Sequence, residues 1–278
     1  SDGQVLTSTG SGVAWEDAAG GGVTYKSEGT DFTGSLFIGH STTGTLDAAT
    51  YNTAVGLNAL DAITNADHNV AVGYQAMTTN STGGTNVAIG SSALRANQSG
   101  GGNIAIGYLA LDANVSGNDN VAIGAYSMDV NTGSNNVAVG RGTLSLNEGG
   151  TQNTACGTNS LATNAGNSYS TAVGYNALNL ATGGYNTAVG RDSGKTIGTG
   201  TFFTGLGQRS GENATTGTKN TMIGNYTGGT LSTGNYNLCV GSDCNVSASG
   251  AANQTVLGYS VTGNANDSLC FGNGATDS

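Results

Sequence analysis

The sequence predicts an all-β fold, a parallel β-solenoid of about 15 coils with two short strands per coil. Three observations predict it. A glycine recurs from Gly39 to Gly272, and of the 14 steps between its 15 copies, 11 are 17 residues, two are 16 and the last is 14. A self-similar step of this size marks stacked repeats. The phrase before each glycine alternates with period two, as in Asn52-Thr53-Ala54-Val55-Gly56 and Asn86-Val87-Ala88-Ile89-Gly90, which is the pattern of a short β-strand. The chain also has 49 Gly and no Pro, as fits a backbone whose N–H groups enter ladders.

Taken in order, residues 1–34 precede the first repeat and read as a connecting segment. Residues 35–190 hold the regular repeat. With the marker glycine as position zero, Asn recurs at −4, Ala at −2, and Thr, Val, Ile or Leu at −3 and −1. An Ala/Ser-Leu/Met pair follows at +3 and +4, as in Ala59-Leu60, Ala76-Met77, Ala93-Leu94 and Ala110-Leu111. About eight residues rich in Asn, Thr, Ser and Gly then read as a turn. Each coil is therefore strand, glycine corner, second short strand and loop. Fourteen steps of ~4.8 Å give a length of roughly 67 Å.

Alternation puts −3 and −1 on one strand face and −4 and −2 on the other. Hydrophobicity assigns the first face to the coil core, with Val55, Val72, Ile89, Ile106 and Ile123 packing against Leu60, Met77, Leu94 and Leu111. The second face is flat and uncharged. It carries Ala54, Ala71, Ala88, Ala105, Ala122 and Ala138 beside a ladder of Asn69, Asn86, Asn103 and Asn120. That face is expected to pack on other copies of the chain in a closed symmetric oligomer.

The Leu/Met column fails over residues 191–245, where Ser193-Gly194, Ser210-Gly211, Thr227-Gly228 and Cys244-Asn245 stand instead. Bulky residues appear nearby, among them Ile197, Phe202, Phe203 and Met222. A repacked core is one reading, and a specialised ligand-facing surface is the other. Tyr recurs at +1 as Tyr74, Tyr108, Tyr175 and Tyr259, and an aromatic face with a polar tip suits sugars or covers a corner. The candidate receptor-binding residues are Tyr74, Tyr108, Tyr175, Phe202, Phe203, Tyr226 and Tyr236.

Composition narrows the function. The net charge of −10 leaves no basic patch for nucleic acid, and no apolar run reaches the length of a membrane span. The segment Gly190-Arg191-Asp192-Ser193-Gly194-Lys195-Thr196 has three residues between its glycines where a phosphate-binding loop needs four, and no room for the helix that must follow. His40 and His68 stand in different repeats without a nucleophile pattern. Asp112, Asp119 and Asp129 lie in or near loops, where carboxylates could bind a cation but read first as solvated. The four cysteines, Cys156, Cys239, Cys244 and Cys270, read as small buried hydrophobes. A Cys239–Cys244 disulfide stays open, and the spacing does not suit zinc. No catalytic set, cofactor or metal is expected.

The Asn-x-Ala-Val/Ile-Gly phrase resembles the head repeats of trimeric autotransporter adhesins. The longer 17-residue form, as in Val72-Gly73-Tyr74-Gln75-Ala76-Met77-Thr78-Thr79-Asn80-Ser81-Thr82-Gly83, is closer to repeats of bacteriophage tail fibres and some bacterial surface proteins. The opening Asp2-Gly3-Gln4-Val5-Leu6-Thr7-Ser8-Thr9-Gly10-Ser11-Gly12-Val13-Ala14-Trp15 is similar to a linker of such fibres. Residues 246–278 resemble the coils that precede a self-cleaving chaperone there, and either cleavage or truncation would account for an end at Ser278. The resemblance implies a left-handed β-roll, a homotrimer, and a host-attachment role on the virion. It also implies partners among bacterial surface glycans or proteins and adjoining fibre or baseplate proteins. The alternatives are the head of a bacterial trimeric surface adhesin, or an ice-binding solenoid. Thr53, Thr154, Thr171, Thr187, Thr204, Thr221 and Thr255 at −3 suit an ice face, but that column is expected to point inward, which favours a core.

Overall fold

The computed structural model describes residues 5–8, 13–16, 25–27, 35–38 and 49–272. The described residues form an all-β parallel β-solenoid of about 13 turns, without a helix. The chain divides into two compact units, Ser1–Ser134 and Asn135–Ser278.

In the first unit, β1 (Val5–Ser8) pairs antiparallel with β2 (Val13–Glu16), and β3 (Tyr25–Ser27) with β4 (Leu36–Ile38). From β4 the coils stack in parallel through β5 (Thr53–Val55), β6 (Val70–Val72), β7 (Val87–Ile89), β8 (Ile104–Ile106) and β9 (Val121–Ile123). A short β10 (Val130–Asn131) follows. In the second unit, β11 (Val137–Val139) pairs with β13 (Thr154–Cys156), with the short β12 (Leu146–Asn147) between them in sequence. The parallel order continues through β14 (Thr171–Val173), β15 (Thr187–Val189), β16 (Thr204–Leu206), β17 (Thr221–Ile223), β18 (Leu238–Val240), β19 (Thr255–Leu257) and β20 (Leu269–Phe271). Register is strict, so Val70 faces Val87 and Val87 faces Ile104.

The marker glycine has a steric cause. Gly73 has φ +137, and a Cβ on it would lie 2.5 Å from the carbonyl oxygen of Gly90, one coil on. No L side chain fits both that dihedral and that approach.

The expected second strand is absent from most coils. Positions +2 and +4 are left-handed instead, with φ 56 at Gln75 and φ 49 at Met77, and such residues end an extended run. The segment still bonds coil to coil, from Leu60 N to Ala76 O at 3.0 Å and from Met77 N to Ala93 O at 3.0 Å. Hydrogen bonds between coils offset the roughly 1–2 kcal/mol that a left-handed L-residue costs.

The expected assignment of the strand faces is reversed. Ala54, Ala71, Ala88, Ala105, Ala122 and Ala138 lie inside the coil, at most 1% exposed. Asn69, Asn86, Asn103 and Asn120 lie inside with them, fully buried. None of these ten residues presents a surface to another chain. Val55, Val72 and Ile106 are half-buried on the outer face, and Ile89 and Ile123 are exposed there. Leu60, Met77, Leu94 and Leu111 are core, as the sequence suggests, with no exposure.

The physical reason is cross-section. A 17-residue coil is narrow, and once Leu at +4 fills its centre only Ala fits at −2. Asn fits at −4 because its polar atoms are paired. In the first unit the backbone N–H groups of Asn69, Asn86 and Asn103 donate to the Oδ1 atoms of Asn52, Asn69 and Asn86, each at 2.9 Å. The freed amide N–H donates to a loop carbonyl, as from Asn86 Nδ2 to Gly100 O at 2.8 Å. Buried amides paired this way cost little, whereas unpaired ones cost roughly 1–3 kcal/mol.

A second buried Asn ladder runs at +7. Asn97 Nδ2 donates to Asn80 Oδ1 at 2.8 Å, and Asn114 Nδ2 to Asn97 Oδ1 at 3.0 Å. In the second unit Asn164 Nδ2 donates to Asn147 Oδ1 at 2.7 Å. The next coil has Ala181 in that column, and Asn164 Oδ1 is buried without a hydrogen-bond partner.

Candidate functional site

With the faces reversed, the outer face of the strand before each marker glycine from Gly56 onward is built from −3 and −1. In the first unit it is almost wholly aliphatic and β-branched, with Val70, Val87, Ile104 and Val121 in one file and Val72, Ile89, Ile106 and Ile123 in the other. Ile89 is 40% exposed and Ile104 36%. Contiguous exposed apolar surface of this kind marks an interaction site. In the second unit the −3 file becomes Thr154, Thr171, Thr187, Thr204 and Thr221 in unbroken register. The file beside it carries Cys156, Val173, Val189, Leu206 and Ile223.

At −5 each coil enters its strand through a left-handed residue, such as Tyr169 (φ 64), Tyr185 (φ 61) and Phe202 (φ 56). These three rings form an exposed stack, with centroids 5.0 Å apart for Tyr169–Tyr185 and 5.1 Å for Tyr185–Phe202. In the same column the Lys219 ammonium lies 5.1 Å from the Tyr236 ring centroid. The sequence points to Phe202 and Tyr236 singly but not to the column, because the period-two alternation that marks the strand stops at −4. Five aromatics set five residues before five marker glycines, Tyr51, Tyr169, Tyr185, Phe202 and Tyr236, were the available signal.

Among the other candidates, Tyr74, Tyr108 and Tyr175 are each half-exposed at +1, and Tyr226 is exposed at +2. Tyr108 packs edge to face on Tyr126. Phe203 must be withdrawn as a receptor contact. Its ring is 2% exposed and fills the coil interior, where Gly194, Gly205 and Gly211 leave space. Ile197 and Met222 are buried as well, so the loss of the Leu/Met column over residues 191–245 is a repacked core.

Charge gathers at the corners of the second unit. Asp192 accepts from Asn176 Nδ2 at 3.2 Å and pairs with Arg191 Nε at 3.2 Å and Lys195 Nζ at 3.8 Å. Arg209 pairs with Glu212 and places its guanidinium 4.6 Å from the Tyr226 ring centroid. The Glu212 hydrogen bond, followed by the Tyr226 hydroxyl, holds Arg209 above its ordinary range. In the first unit Arg95 grips Asp112 with two bonds of 2.8 Å, and that bond raises the pKa of Arg95. Burial, then the Asp112 charge, raises Asp129. Asp112 is thus paired rather than solvated, while Asp119 is exposed.

Cys239, Cys244 and Cys270 are buried thiols, but Cys156 is exposed, because its −1 column points outward. No disulfide joins the four. Cys244 donates to Val256 O at 3.2 Å. Its contact with Cys239, followed by burial, pushes the Cys239 thiol up. His68 stacks on Tyr51 at 5.0 Å, and His40 lies outside the described residues. The Gly190–Thr196 segment is a coil corner. Among the described residues no group of three His, Cys, Asp or Glu is arranged to hold a metal, and no helix is long and apolar enough to cross a membrane.

These features define a tandem-repeat β-solenoid with a polar-laddered interior and an apolar outer strand face. No protein-family model, curated protein or solved structure matches the chain.

Proposed function

We propose that this chain is the structural and host-recognition part of a phage tail fibre, a homotrimer that presents a receptor-binding region on the virion. The observation that carries it is the double file of half-buried Val and half-buried to exposed Ile on the outer face of the first unit, a face too apolar to be left to water. The seam between copies is therefore Val70, Val72, Val87, Ile89, Ile104 and Ile106 and their coil-to-coil neighbours, not the Ala/Asn face. Three-fold symmetry and the virion rest on the resemblance of the repeats and of the opening Asp2–Trp15 segment to tail fibres. The same face would serve the head of a bacterial trimeric adhesin. Light scattering tests the assembly, with three chains per particle expected and a monomer fatal to the seam.

A second reading has its own observation. The Thr file from Thr154 to Thr221 points outward in register, which removes the objection that it belongs to a core and restores an ice-binding face as a rival. The bulk of Leu206 and Ile223 beside it makes the face uneven and ranks this reading second. Thermal hysteresis in the purified chain would reverse the order.

A further inference from the structure

We infer that the corner running from Tyr175 to Tyr226 in the second unit binds a carboxylate-bearing saccharide. The inference rests on the host-recognition reading and gives its receptor a chemical class.

The first ground is charge placement. The chain has only seven Lys and Arg against a net charge of −10, yet three of the seven, Arg191, Lys195 and Arg209, fall at this one corner of two adjacent coils. Here three cations stand against the two carboxylates Asp192 and Glu212. A nucleic acid, carrying a charge at every phosphate and needing a long track, would still be repelled by the rest of the chain.

The second ground is geometry. The residues at +1 and +2 are locked coil on coil by backbone bonds from Asp192 N to Tyr175 O, from Arg209 N to Arg191 O, each 2.8 Å, and from Tyr226 N to Gln208 O, 2.9 Å. The two arginines thus stand on adjacent coils, their main chains hydrogen-bonded to each other. Arg191 is oriented by Asp192 and by Gln208, whose amide oxygen, turned toward it, accepts from Nη2 at 2.9 Å. Arg209 is oriented by Glu212 and the Tyr226 ring. The Arg191 and Arg209 side chains remain 54% and 37% exposed. Exposed ion pairs add little stability, so the network's consequence is the fixed direction of the two forks. A fixed guanidinium fork matches a carboxylate in two-point contact. The exposed ring of Tyr175 offers a face for sugar C–H groups, while the Oδ1 of Asn176 and the amide N–H groups of Gln208, which those pairs do not use, suit hydroxyls.

The test is titration of the full chain with tri-galacturonate and with sialyllactose, beside galactotriose and lactose as neutral counterparts. Arg191→Ala/Arg209→Ala is run in parallel, after its circular dichroism and melting temperature are shown to match the parent. Binding of at least one acidic probe, weakened tenfold or more in the double variant and by added salt, is the expected result. Failure of both acidic probes, equal binding of the neutral ones, or full retention by the double variant overturns the inference. Light scattering on the same samples separates the two readings. A trimer that binds neither acidic probe sinks only the saccharide site, whereas a monomer that binds sinks only the fibre.

Discussion

The ring of Phe203 occupies the space that a side chain on Gly211 would need. A Cβ at Gly211 would fall against Cζ and Cε2 of Phe203, and one at Gly194 would lie 2.9 Å from its Cε1. The two positions are coupled through one volume. At +4 earlier coils carry Leu to fill the centre; here the filling comes from −4, and +4 is emptied to glycine.

Gly211→Leu restores the common residue and is expected to destabilise by about 1–3 kcal/mol through overpacking. Phe203→Asn restores the other common residue and is expected to cost about 3–5 kcal/mol through the cavity it leaves. Together the two should cost less than their sum by at least ~1 kcal/mol, since each relieves the other. Urea unfolding of the four proteins checks this, and additive costs would show that the ring and the glycine are not exchanging volume.

Much of this fold is legible in the sequence because its signal is repetition. The strands at Val70–Val72 and Val87–Ile89 fall where alternation puts them, and the marker glycines fall at corners. The inside and outside of the coil are not legible from hydrophobicity alone. Ile89 is more apolar than Asn86, yet Asn86 is buried and Ile89 is not. The deciding quantity is side-chain volume in a narrow coil, together with a ladder that satisfies each amide, and neither appears in a single repeat read by itself. The corner charges are harder still. Arg191 and Gln208 are 17 positions apart, and only the coil pitch makes them neighbours.

The buried ladders make each Asn dependent on the next. Asn97→Ala removes the donor to Asn80 Oδ1 and the acceptor for Asn114 Nδ2, so it is expected to cost about 1–3 kcal/mol. Ala181→Asn should act oppositely by offering Asn164 Oδ1 the donor it lacks, adding about 0.5–1.5 kcal/mol. Melting temperatures of both variants provide the check, and a neutral Asn97→Ala would mean the ladder carries no stability.

The two strand faces are separable by adjacent residues. Ala88 is fully buried, so Ala88→Arg forces a charge into the coil and is expected to unfold it locally, lowering the melting temperature and oligomer yield together. Ile89 is 40% exposed, and Ile89→Lys should leave the coil's circular dichroism unchanged while abolishing self-association. Light scattering beside circular dichroism distinguishes them, and an Ile89→Lys chain that assembles normally would place the seam elsewhere.

The thiols report separately on seam and coil. Cys156 stands exposed on the outer file of the second unit; if the proposed seam extends along that file, it is expected to react with maleimide only under conditions that dissociate the oligomer. Cys239 and Cys244 have no exposure and should react later, when the coil itself opens. Mass spectrometry of labelled peptides reads that order; simultaneous reaction of all three would mean that assembly and coil are one cooperative unit. The Cys239 thiol adds a pH dependence. Its contact with Cys244 and its burial raise the folded-state value above the ordinary 9.0, so above that pH the unfolded chain loses a proton that the folded chain keeps. Stability therefore falls as pH rises past about 9, by at most ~1.4 kcal/mol per pH unit for this one group. Cys239→Ala should remove that part of the slope while Cys156→Ala leaves it, and equal slopes in urea titrations between pH 8 and 10 would show that Cys239 ionises as freely in the fold as outside it.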